Sequence, residues 1–147
     1  KGNLELALQK PSAVKQVKNH PALTINDAST WYYCLKQRDG IVALALEFLS
    51  LNLARSGEVR GAVWSEIEDD IWIIPANRAK TKTEYRIPLS SRARDLMSGL
   101  YHGRELLFPN KYGRELSDAS LLTCMKRIHY EIDLLTAIVG VQQCHTA

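Results

Sequence analysis

The hydrophobic pattern of this chain predicts a buried central helix with an amphipathic helix before it. Residues from Ile41 to Leu53 are almost all apolar, and Glu47 is the only charge among them. Such a segment is expected to be surrounded by other elements and to form the centre of the fold. The preceding helix is predicted to begin after an N-cap at Asn26 and to end near Gly40. Its apolar positions recur at helical spacing: Ala28, Trp31, Tyr32 and Leu35.

Two short apolar runs further along the chain predict a β-hairpin with a basic tip. The runs are Ile71–Pro75 and Glu84–Ser90, and the second alternates apolar and polar residues. Cations that can approach one nucleic-acid backbone together lie in or beside the connection: Arg78, Lys80, Lys82 and Arg86. A solvated basic turn is the competing interpretation of the same residues.

Two further helices are predicted after the hairpin. Ser90 and Ser91 are expected to cap a helix that runs to Leu100, and Ser117 is expected to cap another. Their inward-facing positions are predicted to be Ala93, Leu96, Met97 and Leu100 in the first helix, and Leu121, Leu122, Met125 and Ile128 in the second. The predicted fold is therefore mainly α with a small antiparallel β-sheet of two or three strands, an α+β class.

Composition sets limits on the function without naming it. A chain of 147 residues with 46% apolar content is long enough for one domain with a real core. The net charge of +3 permits a phosphate-binding face but does not require one. The three cysteines lack any spacing that suits a metal or a disulfide framework, which favours a reducing, cytoplasmic setting without a metal site. No apolar run is long enough to predict a membrane span.

The strongest candidate for chemistry is Arg55, which follows the central apolar helix at a Ser-Gly break. A guanidinium is planar, permanently charged and forked, so it suits bidentate contact with phosphate. Glu58 lies three residues later and is close enough in sequence to hold the guanidinium in one orientation. A purely structural Arg-Glu pair explains the same two residues, and on these residues alone it is the favoured interpretation.

A set of motifs in a fixed order shifts the interpretation of Arg55 away from a purely structural pair. After the apolar helix come Arg-Ser-Gly-Glu-Val-Arg-Gly at residues 55–61, Trp-Ser-Glu at 64–66 and Trp-x-Ile-Pro at 72–75. Arg-x-Lys at 78–80 and Ile-Pro-Leu-Ser at 87–90 complete the series. From about Lys15 to Arg127 the chain resembles the tyrosine recombinase family, specifically the integrases carried by phages and genomic islands.

This resemblance implies breakage and rejoining of DNA without a metal or nucleotide cofactor. In that chemistry a tyrosine attacks the scissile phosphate, two arginines stabilise the charge on the phosphate oxygens and a lysine protonates the departing sugar oxygen. The resemblance assigns Arg55 as the first arginine and Lys80 as the hairpin lysine, with Glu58 and Glu66 as their supports. The basic hairpin itself predicts Arg78, Lys82 and Arg86 as DNA-contacting residues. The implied partners are double-stranded DNA and further integrase protomers.

The resemblance stops before two motifs that the family needs. No His-x-x-Arg box follows the last matching helix, and no tyrosine holds the place of the nucleophile. We therefore expect an interdomain linker at residues 1–20, a partial catalytic domain at 21–130 and a tail at 131–147 that departs from the family. As a truncated fragment the chain is expected to be inactive alone. A non-catalytic DNA-binding module and a helical protein-interaction domain remain alternatives.

Overall fold

Helices and one small antiparallel sheet make up the described part of the chain. The computed structural model describes residues 24–100 and 103–144, apart from the side chains of residue 26 and residues 135–144. The predicted linker at residues 1–20 lies outside this part. The elements are α1 (Ile25–Lys36), α2 (Ile41–Asn52), α3 (Ser56–Arg60), β1 (Ile67–Glu68), β2 (Ile71–Ile74), β3 (Tyr85–Pro88), α4 (Ser91–Ser98) and α5 (Asp118–Cys144). The predicted α+β class is confirmed.

Helix α2 lies at the centre of the fold, as its apolar sequence predicts. The ring of Phe48 is fully buried and packs between Trp72 of the sheet and Phe108, with ring centroids 5.2 and 5.3 Å away. The predicted helix extends one residue too far, because Leu53 has a positive φ of 49° and turns the chain away from the helix axis. As a result, the Leu53 side chain is 90% exposed and is not part of the core.

The single charge of α2 is buried and has two polar partners. Only 3% of Glu47 is exposed, and its Oε1 accepts hydrogen bonds from the Tyr32 hydroxyl at 3.0 Å and from Nε of Arg92 at 2.9 Å. Burial and the contact with Glu47 raise the pKa of Tyr32. A buried carboxylate is tolerable only when it has such partners, so this cluster joins α1, α2 and α4.

The three strands form one antiparallel sheet in the order β1-β2-β3. Trp72 pairs with Ile87 and Ile74 pairs with Tyr85, which confirms the predicted hairpin with strands slightly shorter than expected. Trp72 and Ile74 are fully buried, and residues of β3 alternate between half-buried and exposed. The loop between β2 and β3 therefore projects from a well-packed base.

The boundaries of α1 and α4 differ from those predicted. Helix α1 begins two residues earlier than expected, because Thr24 is its N-cap and the Thr24 side chain accepts the cap hydrogen bond from the backbone N–H of Asp27. Helix α4 is capped by Ser90 as predicted but ends at Ser98, although Leu100 is buried.

Helix α5 buries a narrower face than predicted. Leu121 and Ile128 are buried, whereas Leu122 and Met125 are 46% and 40% exposed because they lie beside the stripe that meets the core. The backbone helix continues into the segment predicted to be an atypical tail. No helix in residues 24–100 or 103–144 is both long and apolar enough to cross a bilayer.

Candidate functional site

Arg55 lies at the N-cap of α3 and is held there by Glu58. The Arg55 backbone N–H donates to Oε2 of Glu58 at 2.9 Å, and Nη1 of the guanidinium donates to Oε1 at 3.1 Å. The backbone bond is the acidic half of a capping box, and the carboxylate also lies near the positive end of the short helix. The guanidinium is thereby oriented while 53% of the Arg55 side chain remains exposed.

Glu58 is buried and receives a third hydrogen bond, from the hairpin. Only 4% of the residue is exposed, and the Tyr85 hydroxyl donates to its Oε2 at 2.6 Å. Burial alone would raise the pKa of the Glu58 carboxyl, but the hydrogen bonds from Tyr85 and Arg55 outweigh it and lower the pKa. Burial and the contact with Glu58 raise the pKa of Tyr85 to about 12. The pair at neutral pH is therefore a carboxylate and a neutral phenol.

An open pocket of about 350 Å³ separates Arg55 from the hairpin. Its lining residues are Arg55, Thr81, Thr83, Glu84 and Tyr85. One of these, Glu84, is acidic and pairs with Nε of Arg86 at 3.3 Å. The fold thus brings Arg55 beside the loop that follows Lys80. Lys80 itself is exposed and is not a lining residue, so its role as the hairpin lysine stays a prediction.

Glu66 acts on this region through Arg78. The Glu66 carboxylate is 7% exposed, accepts a hydrogen bond from Nε1 of Trp72 at 3.0 Å and forms an ion pair with Arg78. Nη2 of Arg78 in turn donates to the backbone carbonyl of Glu58 at 2.5 Å. Glu66 therefore reaches α3 through Arg78, and its role as an indirect support of Arg55 stays a prediction.

Arg78 points into the protein more than its predicted role in DNA contact suggested. Its side chain is 23% exposed, and its guanidinium is engaged by Glu66 and by the Glu58 carbonyl. Gly61 leaves room for this arrangement, because a Cβ there would lie 3.1 Å from Nη2 of Arg78. Lys82 and the 62% exposed side chain of Arg86 lie on the surface, and DNA contact by any of the three cations stays a prediction.

Tyr85 is the site residue that sequence reasoning missed. It lies 27 residues after Glu58, so no helical or strand spacing relates the two. The only sequence signal was a tyrosine in a predicted strand, between the charged residues Glu84 and Arg86. In the structure it lies at a half-buried position of β3. That pattern is common in sheets and does not by itself indicate a site.

A larger cavity, of about 470 Å³, lies away from these residues. It is bounded by the turn between α1 and α2 and by the first turns of α5, and its lining includes Arg38, Val42, Cys124 and Arg127. None of the predicted site residues contributes to it. Burial raises the pKa of the Cys124 thiol, which disfavours the reactive thiolate.

Comparison with known proteins identifies the class. The model of the phage integrase family matches residues 16–145, so the chain belongs to that family. The match continues beyond Arg127, where the motif resemblance ended. No match was found among curated protein sequences.

Solved structures of lambda integrase share the fold. A dimer bound to a COC' core site is 18% identical, with a TM-score of 0.60 over 80% of this chain and 36% of that one. A tetramer bound to a Holliday junction is 19% identical, with a TM-score of 0.60 over 85% of this chain and 41% of the other. A further DNA-bound lambda integrase structure is 19% identical, with a TM-score of 0.60 over 80% and 45%. The chain thus spans less than half the length of these relatives.

Proposed function

We propose that this chain forms part of the catalytic domain of a site-specific DNA recombinase that breaks and rejoins DNA through a phosphotyrosyl intermediate. The observation that carries the proposal is the half-exposed guanidinium of Arg55, which Glu58 orients beside the hairpin loop. Membership of the phage integrase family supports the same assignment. Double-stranded DNA and other integrase protomers are the proposed partners.

In this proposal Arg55 binds the scissile phosphate. Its guanidinium is already held by a buried carboxylate, so little reorganisation is needed when an anion arrives. One N–H group of the fork is directed to Glu58, and the exposed part of the side chain offers further donors to phosphate oxygens. Glu58 acts as a positioning residue for Arg55.

Lys80 is the proposed general acid. An ammonium on a flexible stem can donate a proton to the departing sugar oxygen as the bond from phosphorus to that oxygen breaks, whereas a guanidinium is too weak an acid. Lys80 lies on the exposed loop that borders the pocket containing Arg55. Lys82 and Arg86 are proposed to contact the DNA backbone on either side.

We further propose that this chain alone does not cleave DNA. The second arginine and the nucleophilic tyrosine of the family pattern are absent from its 147 residues. Tyr85 does not take the place of this nucleophile in the proposal, because its hydroxyl is committed to the buried carboxylate of Glu58. Catalytic groups act as a unit, so the loss of the nucleophile removes the covalent route.

A nicked suicide substrate tests the prediction of inactivity. We expect no covalent protein-DNA band on a denaturing gel after incubation with the chain, while lambda integrase on its own core site provides the positive control. A band that resists denaturation and disappears after protease treatment would contradict the prediction.

A binding measurement tests the role of Arg55. We expect Arg55→Ala to weaken binding to a short duplex at low salt by about tenfold, because a charge-assisted contact to phosphate is lost. Arg94→Ala is the matched control, since Arg94 is 45% exposed and pairs with Asp70 in the turn between β1 and β2. Equal affinities of the wild type and Arg55→Ala would remove the support for a phosphate site at Arg55.

A further inference from the structure

Both ends of the loop that carries Lys80 are joined to the same residue of α3. This loop, residues 75–84, connects β2 to β3 and is called the Lys80 loop below. Near its start, Nη2 of Arg78 donates to the Glu58 carbonyl at 2.5 Å. Directly after its end, the Tyr85 hydroxyl donates to the Glu58 carboxylate at 2.6 Å. Glu58 thus receives one contact from each end, and it also holds Arg55.

These contacts are built into the interior and are not chance surface pairs. Glu58 and Glu66 are 4% and 7% exposed. Glu66 binds Nη1 of Arg78, the other terminal nitrogen of the guanidinium, and also accepts a hydrogen bond from Trp72. Hydrogen bonds to buried charged groups restrict geometry more strongly than exposed ion pairs do. The chain Trp72, Glu66, Arg78 and Glu58 therefore connects the sheet to α3.

The Lys80 loop has little internal structure of its own to fix it against α3. Its backbone hydrogen bonds are local, from Arg78 and Ala79 to the Pro75 carbonyl and from Lys82 to the Ala79 carbonyl, at 3.0 to 3.1 Å. Such bonds shape the turn but do not reach α3. Ala79 anchors the loop in the core, since it is only 5% exposed. Among the described residues of the loop and its flanks, the polar side-chain contacts to α3 come from Arg78 and Tyr85.

We propose that Arg78 and Tyr85 are paired positioning residues that hold the Lys80 loop against Glu58 and so set the place of Lys80 relative to Arg55. Neither residue needs to touch DNA for this role. The holding of the loop stands independently of any DNA chemistry, whereas its consequence for DNA binding rests on the proposed function.

Hydrogen exchange tests the holding of the loop without DNA. Tyr85→Phe removes the hydroxyl and keeps the ring, so a folded variant is expected. We expect the amides of Ala79 and Lys82 to exchange about tenfold faster, while the amides of α2 keep their rates. Tyr112→Phe is the matched control, because Tyr112 is 74% exposed and lies outside this network. Unchanged exchange at Ala79 and Lys82 would overturn the proposal.

A double-mutant cycle, measured as affinity for duplex DNA, tests whether the position of the Lys80 loop affects DNA binding. We expect Tyr85→Phe to weaken binding about threefold to tenfold at low salt, and to have a clearly smaller effect when the loop cations Lys80 and Lys82 have both been replaced by Ala. An equal loss in both backgrounds would overturn the action through the cations of the Lys80 loop. Arg78→Lys supplies a second variant for the same cycle. A single ammonium cannot bind Glu66 and the Glu58 carbonyl together as the forked guanidinium does.

The two experiments separate the two proposals. Faster exchange in Tyr85→Phe together with equal DNA affinity of the wild type and Arg55→Ala would retain the positioning role and refute the recombinase site. Normal exchange together with an affinity loss in Arg55→Ala would retain the site and refute the positioning role.

Discussion

At the scale of single residues, the site depends on how one buried carboxylate is kept ionised. Glu58 accepts two hydrogen bonds from Arg55 and one from Tyr85, and these outweigh the cost of its burial. The Arg55 and Glu58 pair was predictable from their spacing of three residues. The hydrogen bond from Tyr85 was not predictable in this way, and it links the Arg55 and Glu58 pair to the hairpin.

Glu58→Gln tests this carboxylate through the pH dependence of stability. We expect the variant to be less stable by about 1 to 3 kcal/mol at pH 7, since an amide cannot accept equally well from all three donors. The pKa of Glu58 is lower in the folded protein than in the unfolded chain, where it is about 4.3. Ionisation therefore stabilises the fold above that value, and this contribution disappears as the pH falls through the folded-state pKa.

Urea unfolding at a series of pH values measures the effect. The stability difference between the wild type and Glu58→Gln should shrink as the pH falls below about 4. Glu68→Gln at an exposed position is the control and should change stability little at any pH. A difference that stays constant down to pH 3 would show that the charge of Glu58 does not contribute.

At the scale of elements, α2 organises the core and places Arg55 at its exit. Phe48 contacts Trp72 of β2 and Phe108, so the central helix is packed directly against the base of the hairpin. The left-handed residue Leu53 then ends α2 and redirects the chain into α3. The relation between Arg55 and the Lys80 loop is thus fixed by core packing behind the site.

Truncation of the central aromatic tests this role of α2. We expect Phe48→Ala to lower the free energy of unfolding by about 3 to 5 kcal/mol, because it leaves a cavity between two aromatic rings. Leu53→Ala is the control on the same segment, and it should change stability by less than about 0.5 kcal/mol because Leu53 is 90% exposed. Equal effects of the two substitutions in thermal or urea unfolding would contradict the central position of Phe48.

At the scale of the whole molecule, the net charge is small, so the proposed DNA-binding face depends on where the exposed cations lie. The net charge is +3, and many arginines are already paired within the protein, including Arg60 with Asp118, Arg78 with Glu66 and Arg92 with Glu47. The exposed hairpin residues Lys80, Lys82 and Arg86 remain the proposed phosphate contacts. Net charge alone did not indicate DNA binding, and the family match provides the stronger reason.

The salt dependence of binding tests this distribution. We expect the affinity for duplex DNA to fall as salt rises, and Lys82→Ala to reduce the slope of the double-logarithmic plot by about 1, because one phosphate contact is lost. Lys36→Ala on α1 is the control and should leave the slope unchanged. A binding constant that does not depend on salt would contradict phosphate contact by the hairpin.

Local sequence determined a large part of this structure. The apolar run of α2, the hairpin and the cap at Ser90 were predictable, because each depends on spacing or on one side chain acting on its own neighbourhood. Errors occurred where distant packing decides. Leu122 and Met125 fit a helical stripe in the sequence, but the neighbours of α5 cover only the side of Leu121 and Ile128.

For the candidate site, the sequence by itself determined the residue types, the Arg55 and Glu58 pair and the order of motifs that places the chain among the phage integrases. Only the tertiary structure decided that Tyr85 reaches Glu58, that Arg78 points inward to Glu66 and that the Lys80 loop borders Arg55. The physical reason is the distance along the chain over which each kind of interaction acts. Periodicity and capping act over one or two turns, whereas these contacts join residues 12 to 27 positions apart and exist only after α2 and the sheet have packed together.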